Sequence, residues 1–99
     1  MTVEKFDILK TVSPGGGAYR AQFADGSEAE LTWSDVDGDT ISIDHTFVPP
    51  QHRGKDFALR LLKQGVEYAA RDGKKIIPKC SYAAMVFQRH PEWTHLLAR

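Results

Sequence analysis

Apolar and polar residues alternate through the first half of the chain. Between Ala18 and Ala24, Tyr19, Ala21 and Phe23 fall on one face and Arg20 and Gln22 on the other. Between Ser27 and Trp33, Ala29, Leu31 and Trp33 oppose Glu28, Glu30 and Thr32. A period of two marks a half-buried strand, because successive side chains of an extended chain point to opposite sides. Asp25 and Gly26 separate the two runs and tolerate the positive φ of a tight turn, so the strands are predicted to be antiparallel neighbours. A further strand is predicted over Phe6 to Val12, ahead of Ser13-Pro14-Gly15-Gly16-Gly17, which reads as a flexible hairpin loop. No Gly-Lys-Ser/Thr follows these glycines and the next segment has strand period, which argues against a phosphate cradle there. Thr40 to Val48 alternates Ile41, Ile43, His45 and Phe47 against Ser42, Asp44 and Thr46 until Pro49-Pro50 ends it. The first four strands are thus predicted to be antiparallel.

From about Gly54 to Asp72 the period becomes helical. Ala58, Leu61, Leu62, Gly65, Val66 and Ala69 share one face, with Arg60, Lys63, Gln64, Glu67 and Arg71 opposite. Gly73 stops this helix, and Lys75 to Cys80 reads as a short buried strand whose Pro78 suits an edge or a splay. A strand, helix, strand unit in one sheet is normally a parallel crossover, so the last two strands are predicted to be parallel. Ser81 is the expected cap of a final helix over Tyr82 to Arg89, which Pro91 interrupts before Trp93, Leu96 and Leu97. The whole pattern predicts an α+β domain: a mixed sheet of about five strands, one long helix and short C-terminal helices.

Ninety-nine residues fit one hydrophobic core, and 41% hydrophobic with 26% charged residues is an ordinary globular composition. No apolar run approaches the ~20 residues of a membrane span. Met1-Thr2-Val3-Glu4-Lys5 lacks the basic and then apolar layout of a secretory signal, so a cytoplasmic protein without a membrane partner is expected. A single cysteine, Cys80, leaves no internal disulfide. His90 and His95 flank Pro91 five residues apart, a poor geometry for a shared metal, and none is expected.

The formal net charge of zero conceals a split. Residues 1–50 carry three Lys/Arg against nine Asp/Glu, whereas residues 51–99 carry ten against four. A basic second half suits an anionic partner, either a phosphorylated small molecule or nucleic acid; equally, two oppositely charged halves can simply pack together. Tyr68, Tyr82, Phe87 and Trp93 read as helix-face or core residues rather than as a base-stacking platform, which counts against nucleic acid.

The most informative segment runs from Val48 to Ala58, where a strand ends, prolines fix a turn, and a helix begins at Gly54 between Arg53 and Lys55. Backbone N–H groups at a helix start lack intrahelical partners and sit at the positive end of the dipole, so a pyrophosphate suits this loop. A capped helix with solvated basic residues is the plainer alternative.

Gln51-His52-Arg53-Gly54-Lys55-Asp56 resembles the Gln/Arg-x-x-Gly-x-Gly/Ala cofactor signature of the GNAT superfamily of acyl-CoA-dependent N-acetyltransferases, departing from it at Asp56. Asp44 to Pro49, Arg53 to Lys55, Pro78 to Tyr82 and Arg89 to Trp93 are similar to a small, truncated, single-domain branch of that superfamily. The resemblance spans residues from about 40 to 97 and implies a GNAT-like mixed sheet with acetyl-CoA between splayed fourth and fifth strands. It implies that Gln51, His52, Arg53, Gly54, Lys55, Asp56, Phe57 and Ala58 form the cofactor loop, with the N–H groups from Arg53 to Ala58 on the pyrophosphate. The backbone of Phe47 and Val48 would pair with the pantetheine arm and polarise the thioester. Asp56 places a carboxylate beside the pyrophosphate, a repulsion relieved only if the side chain turns away or pairs with Lys55 or Arg60.

The implied reaction is acetyl transfer to a primary amine of a small molecule or peptide. His45, on the otherwise apolar face of the fourth strand, is a candidate general base; a core histidine bonded to a backbone carbonyl is the alternative. Cys80, beside Lys79 at the start of the last helix, is a candidate for an acetyl-cysteine intermediate, or else a small buried hydrophobe. Tyr82 is a candidate proton donor to the departing CoA thiolate, or a packing residue. Direct attack and the acyl-cysteine route both remain open, as does a non-catalytic acyl-CoA-binding or sensing module. Few residues follow the fifth strand, so a shallow acceptor site is expected, open to completion by a second copy in a homodimer.

Overall fold

The structure is a computed structural model that describes residues 6–98; the sequence reading of Met1 to Lys5 lies outside them. Five strands form one sheet in chain order: β1 (Leu9–Ser13), β2 (Gly16–Gln22), β3 (Glu28–Asp37), β4 (Thr40–Phe47) and β5 (Lys75–Pro78). The first three pairings are antiparallel and the β4–β5 pairing is parallel, with helix α1 (Phe57–Arg71) in the crossover. Helix α2 (Ser81–Gln88) and a 3-10 helix at Pro91–Leu96 follow. The α+β mixed sheet expected from the pattern is the one observed.

The alternation in β2 and β3 sets the layers. Tyr19, Ala21, Ala29, Leu31 and Trp33 are buried beneath α1, while Arg20, Glu28, Glu30 and Thr32 look the other way. Helix α1 meets that face with Phe57, Leu61, Leu62, Gly65, Val66 and Ala69, at the helical spacing of an apolar stripe. Leu31, Ile43, Leu61, Leu62 and Ile76 are the largest fully buried side chains and mark the centre of the core.

Four local readings are corrected. β1 begins at Leu9 rather than Phe6, whose ring joins the core against Phe23 and Phe57. The glycine run is not a loop: only Pro14 and Gly15 form the turn, with Gly15 at φ 82°, and Gly16 and Gly17 belong to β2. A Cβ at Gly17 would overlap the Trp33 indole, so the missing side chain seats that ring on the strand. The β2–β3 turn spans residues 24–26, with Gly26 alone at positive φ, which is a three-residue loop rather than a two-residue one.

The fourth correction bears on function. Thr32 pairs with His45 but Trp33 pairs with Ile43, so Asp44 is an extra residue in β4, a bulge. An inserted residue reverses the alternation, because each later side chain switches sides. His45 and Phe47 are therefore exposed on the face away from α1, and His45 does not lie on the apolar face expected for it. Both carboxylate oxygens of Asp44 are engaged on this face: Ser42 Oγ donates at 2.6 Å to one and Ser34 Oγ donates to the other.

Candidate functional site

β4 and β5 diverge after Ile43, the last residue paired with Pro78. The Ile43 carbonyl accepts from both the Lys79 and Cys80 N–H groups at 3.0 Å, which turns the chain out of β5 and into α2. Beyond this fork, Thr46 of β4 and Cys80 face each other, with Thr46 Oγ1 3.7 Å from Cys80 Sγ. Cys80, not Ser81, is the N-cap of α2: its sulfur accepts the Ala83 N–H at 3.3 Å. Cys80 is partly buried, so its sulfur occupies a defined place at the fork.

The chain leaves β4 through Val48 and Pro49, makes a 3-10 turn at Pro50–His52, and enters α1 at Phe57, three residues later than the helix start expected at Gly54. The interval is a loop in which Gly54 (φ 82°) and Asp56 (φ 64°, ψ 16°) both adopt left-handed backbone. Asp56 is the only non-glycine residue of that hand among the described residues, at the position where the cofactor signature has glycine or alanine. Among the described residues, no backbone carbonyl accepts from the N–H groups of Gly54 to Leu59. Successive unpaired N–H groups at turns of changing hand, followed by a helix start, form a concave anion site.

The loop is tied down on both sides. Arg53 folds back so that its Nε donates to the Val48 carbonyl at 2.8 Å, with its guanidinium 5.8 Å from the centre of the Phe47 ring. That carbonyl, expected to meet a pantetheine amide, thus already has an internal donor. His52 stacks on Phe23 at 3.7 Å and 13°, and its Nε2 lies 2.9 Å from Asp25 Oδ2; Gln51 Nε2 donates to the same oxygen at 3.3 Å. The side chains of Gln51 and His52 therefore serve the loop's anchorage to the β2–β3 turn. In the sequence Asp25 reads only as a turn residue, because nothing local links it to a loop so far along the chain. Hydrogen bonds from Ser27, then Gln51 and His52, hold its carboxyl well below the usual carboxylate range.

A cavity of about 230 Å³ lies between the loop and α2: Val48, Arg53, Gly54, Asp56 and Phe57 line one side and Tyr82 of α2 the other, with Cys80 outside the lining. Burial, then the nearby Asp56 carboxylate, pushes the Tyr82 phenol above its ordinary value, so it carries its proton at neutral pH. Asp56 has no ion-pair partner among the described residues; Arg60 instead lies over Phe6 and Phe57, 4.7 and 5.6 Å from their ring centres. His45 points to the opposite face of the sheet and is not brought into this group. His90 bonds Glu92 at 2.9 Å and stacks on Trp93. No helix among the described residues is long and apolar enough to cross a membrane.

Comparison with known proteins bears on the family and the fold. A family model described as GCN5-related N-acetyl-transferase matches residues 18–96. The chain is similar to a GCN5-like protein of Staphylococcus aureus solved by NMR, with 27% identity, a TM-score of 0.73, and coverage of 93% of this chain and 87% of that one. It shares its fold with an acetyltransferase of the GNAT family from Elizabethkingia anophelis, solved with acetyl-CoA bound, at 14% identity and a TM-score of 0.67, over 86% of this chain and 74% of that one.

Proposed function

The chain belongs to the GCN5-related N-acetyltransferases, and we propose that it transfers the acetyl group of acetyl-CoA to a primary amine by way of Cys80. The observation that carries the choice of Cys80 is its place: its sulfur lies at the fork of β4 and β5, at the first turn of α2, with the Ala83 N–H directed at it. A donor aimed at the sulfur fixes its position for attack, which cysteine makes as the thiolate. His45, exposed on the other side of the sheet, lacks such a position.

In this reading the N–H groups from Gly54 to Ala58 hold the pyrophosphate of acetyl-CoA, with Arg53 and Lys55 adding charge. The Cys80 thiolate attacks the thioester carbonyl, the bond from that carbon to the CoA sulfur breaks, and Tyr82 supplies the proton that the departing thiolate takes up. A neutral amine then attacks acetyl-Cys80; the carbon–sulfur bond breaks, the Cys80 thiolate is restored, and the proton released by the amine returns through solvent to the Tyr82 phenolate. The fit is supported by the open N–H groups and by the cavity between the loop and Tyr82.

Incubation with acetyl-CoA and no acceptor should add one acetyl group, which peptide mass spectrometry should locate at Cys80. CoA binding without an adduct, together with loss of transfer in His45→Ala but not Cys80→Ala, would replace this route by direct attack. CoA binding with no turnover of any amine would leave a binding module.

A further inference from the structure

A second cleft, of about 200 Å³, opens at the far end of α1, lined by Lys10, Tyr19, Trp33, Asp35, Tyr68 and Asp72 among others. It is separate from the transfer site: Phe57 lines one and Tyr68 the other, eleven residues along a helix that rises ~1.5 Å per residue. Its walls are aromatic. The Tyr19 ring lies 4.9 Å from Trp33 and 5.7 Å from Tyr68, centre to centre. Gly17 makes room for the Trp33 indole, which an added Cβ would overlap, and Gly65 of α1 lies against the Tyr19 ring.

An ammonium group already occupies this cleft. Lys10 Nζ lies 4.5 Å from the centre of the Tyr68 ring and 5.7 Å from that of Trp33. Aromatic faces carry the negative part of the ring quadrupole and attract cations at such distances. The carboxylates Asp35 and Asp72 line the same cleft and form no ion pair among the described residues. Lys10 comes from β1, an exposed edge strand, so its long side chain can swing into solvent without disturbing the core. With it withdrawn, the Trp33 and Tyr68 rings and two carboxylates remain, with Lys74 in the lining and the Arg71 guanidinium 5.6 Å from the centre of the Tyr68 ring.

We propose that this cleft is a second ligand site, for an alkylammonium group, with Lys10 as a tethered occupant that an external cation displaces. The aromatic walls select the cation by its charge and apolar surface, and the carboxylates add attraction. Burial, then Tyr68 and Asp72, pushes the Tyr19 phenol up to about 12, so that wall stays neutral across physiological pH.

Choline and its neutral isostere, in which a tert-butyl group replaces the trimethylammonium, test the site. The readout is the indole N–H resonance of Trp33, assigned by comparison with Trp93→Phe. Choline should shift that resonance saturably in the wild type, and about fivefold more tightly in Lys10→Ala, the scale of one exposed cation–π contact. The isostere should produce no saturable shift, and Tyr68→Leu in the Lys10→Ala background should weaken choline severalfold. An equal response to choline and the isostere, or no saturable shift in Lys10→Ala, would overturn the proposal.

Discussion

His52 Nε2 lies 2.9 Å from Asp25 Oδ2, a contact between residues 27 apart that fastens the loop before α1 to the tip of the β2–β3 hairpin. Phe23 completes the fastening by stacking against the imidazole. The loop that offers its N–H groups to an anion is thus shaped before any anion arrives.

Asp25→Asn should loosen this anchorage and weaken CoA binding severalfold, as read by calorimetry, while transfer at saturating acetyl-CoA changes little. The substitution also has a pH signature. The folded-state value of Asp25 lies below its unfolded value, so its stabilisation is present above the ordinary carboxylate value of about 4 and is lost as pH falls below it. The difference in thermal midpoint between wild type and Asp25→Asn should therefore shrink below about pH 4. A difference that stays constant into acid would show that the charge of Asp25 plays no part.

Asp56→Gly should improve both the loop and its ligand. Glycine occupies left-handed backbone without the cost borne by a residue with a Cβ, and the change removes an unpaired carboxylate from the cavity. A gain of about 1 kcal/mol in stability and CoA binding about fivefold tighter are expected. Weaker binding would mean that the carboxylate orders the loop.

Cys80 has a structural duty as N-cap as well as its proposed chemical one, and two substitutions separate them. Serine keeps an atom that accepts the Ala83 N–H, so Cys80→Ser should melt close to wild type yet form no stable acetyl adduct. Alanine removes the acceptor too and should cost a further ~0.5–1 kcal/mol, measured by urea titration. Equal stability of the two variants would remove the cap from the account.

Much of the fold is written in local pattern. The alternation in β2 and β3, the stripe on α1 and the stop at Gly73 are each legible within a few residues, because burial of one face dictates them. The bulge at Asp44 is not, since it exists only as a register between two strands and the sequence of β4 alternates without a break. Hence His45 does not lie where the pattern places it, nor does Phe47, and α1 starts three residues after the Gly54 that its pattern suggests, because the left-handed turns at Gly54 and Asp56 delay it. The Asp25–His52 contact and the capping by Cys80 depend on tertiary approach, which spacing along the chain does not encode.

The short strand β5 has a second neighbour of a different kind. Leu97 bridges to Ile76, the Ala98 N–H donates to the Ile76 carbonyl at 2.9 Å, and Lys75 Nζ reaches the His95 carbonyl. These few bonds cover the outer edge of a strand that has four residues and leads directly to Cys80. Peeling residues 95–98 away breaks these bonds and lifts Leu96 from the core but leaves the five strands joined, so it is a partial opening below global unfolding, which amide hydrogen exchange at Ala98 would report as protection weaker than that of β2 and β3. In that opened state an unpaired strand edge faces solvent, ready to pair with another chain. Self-association on mild heating should accordingly begin at β5, ahead of global unfolding.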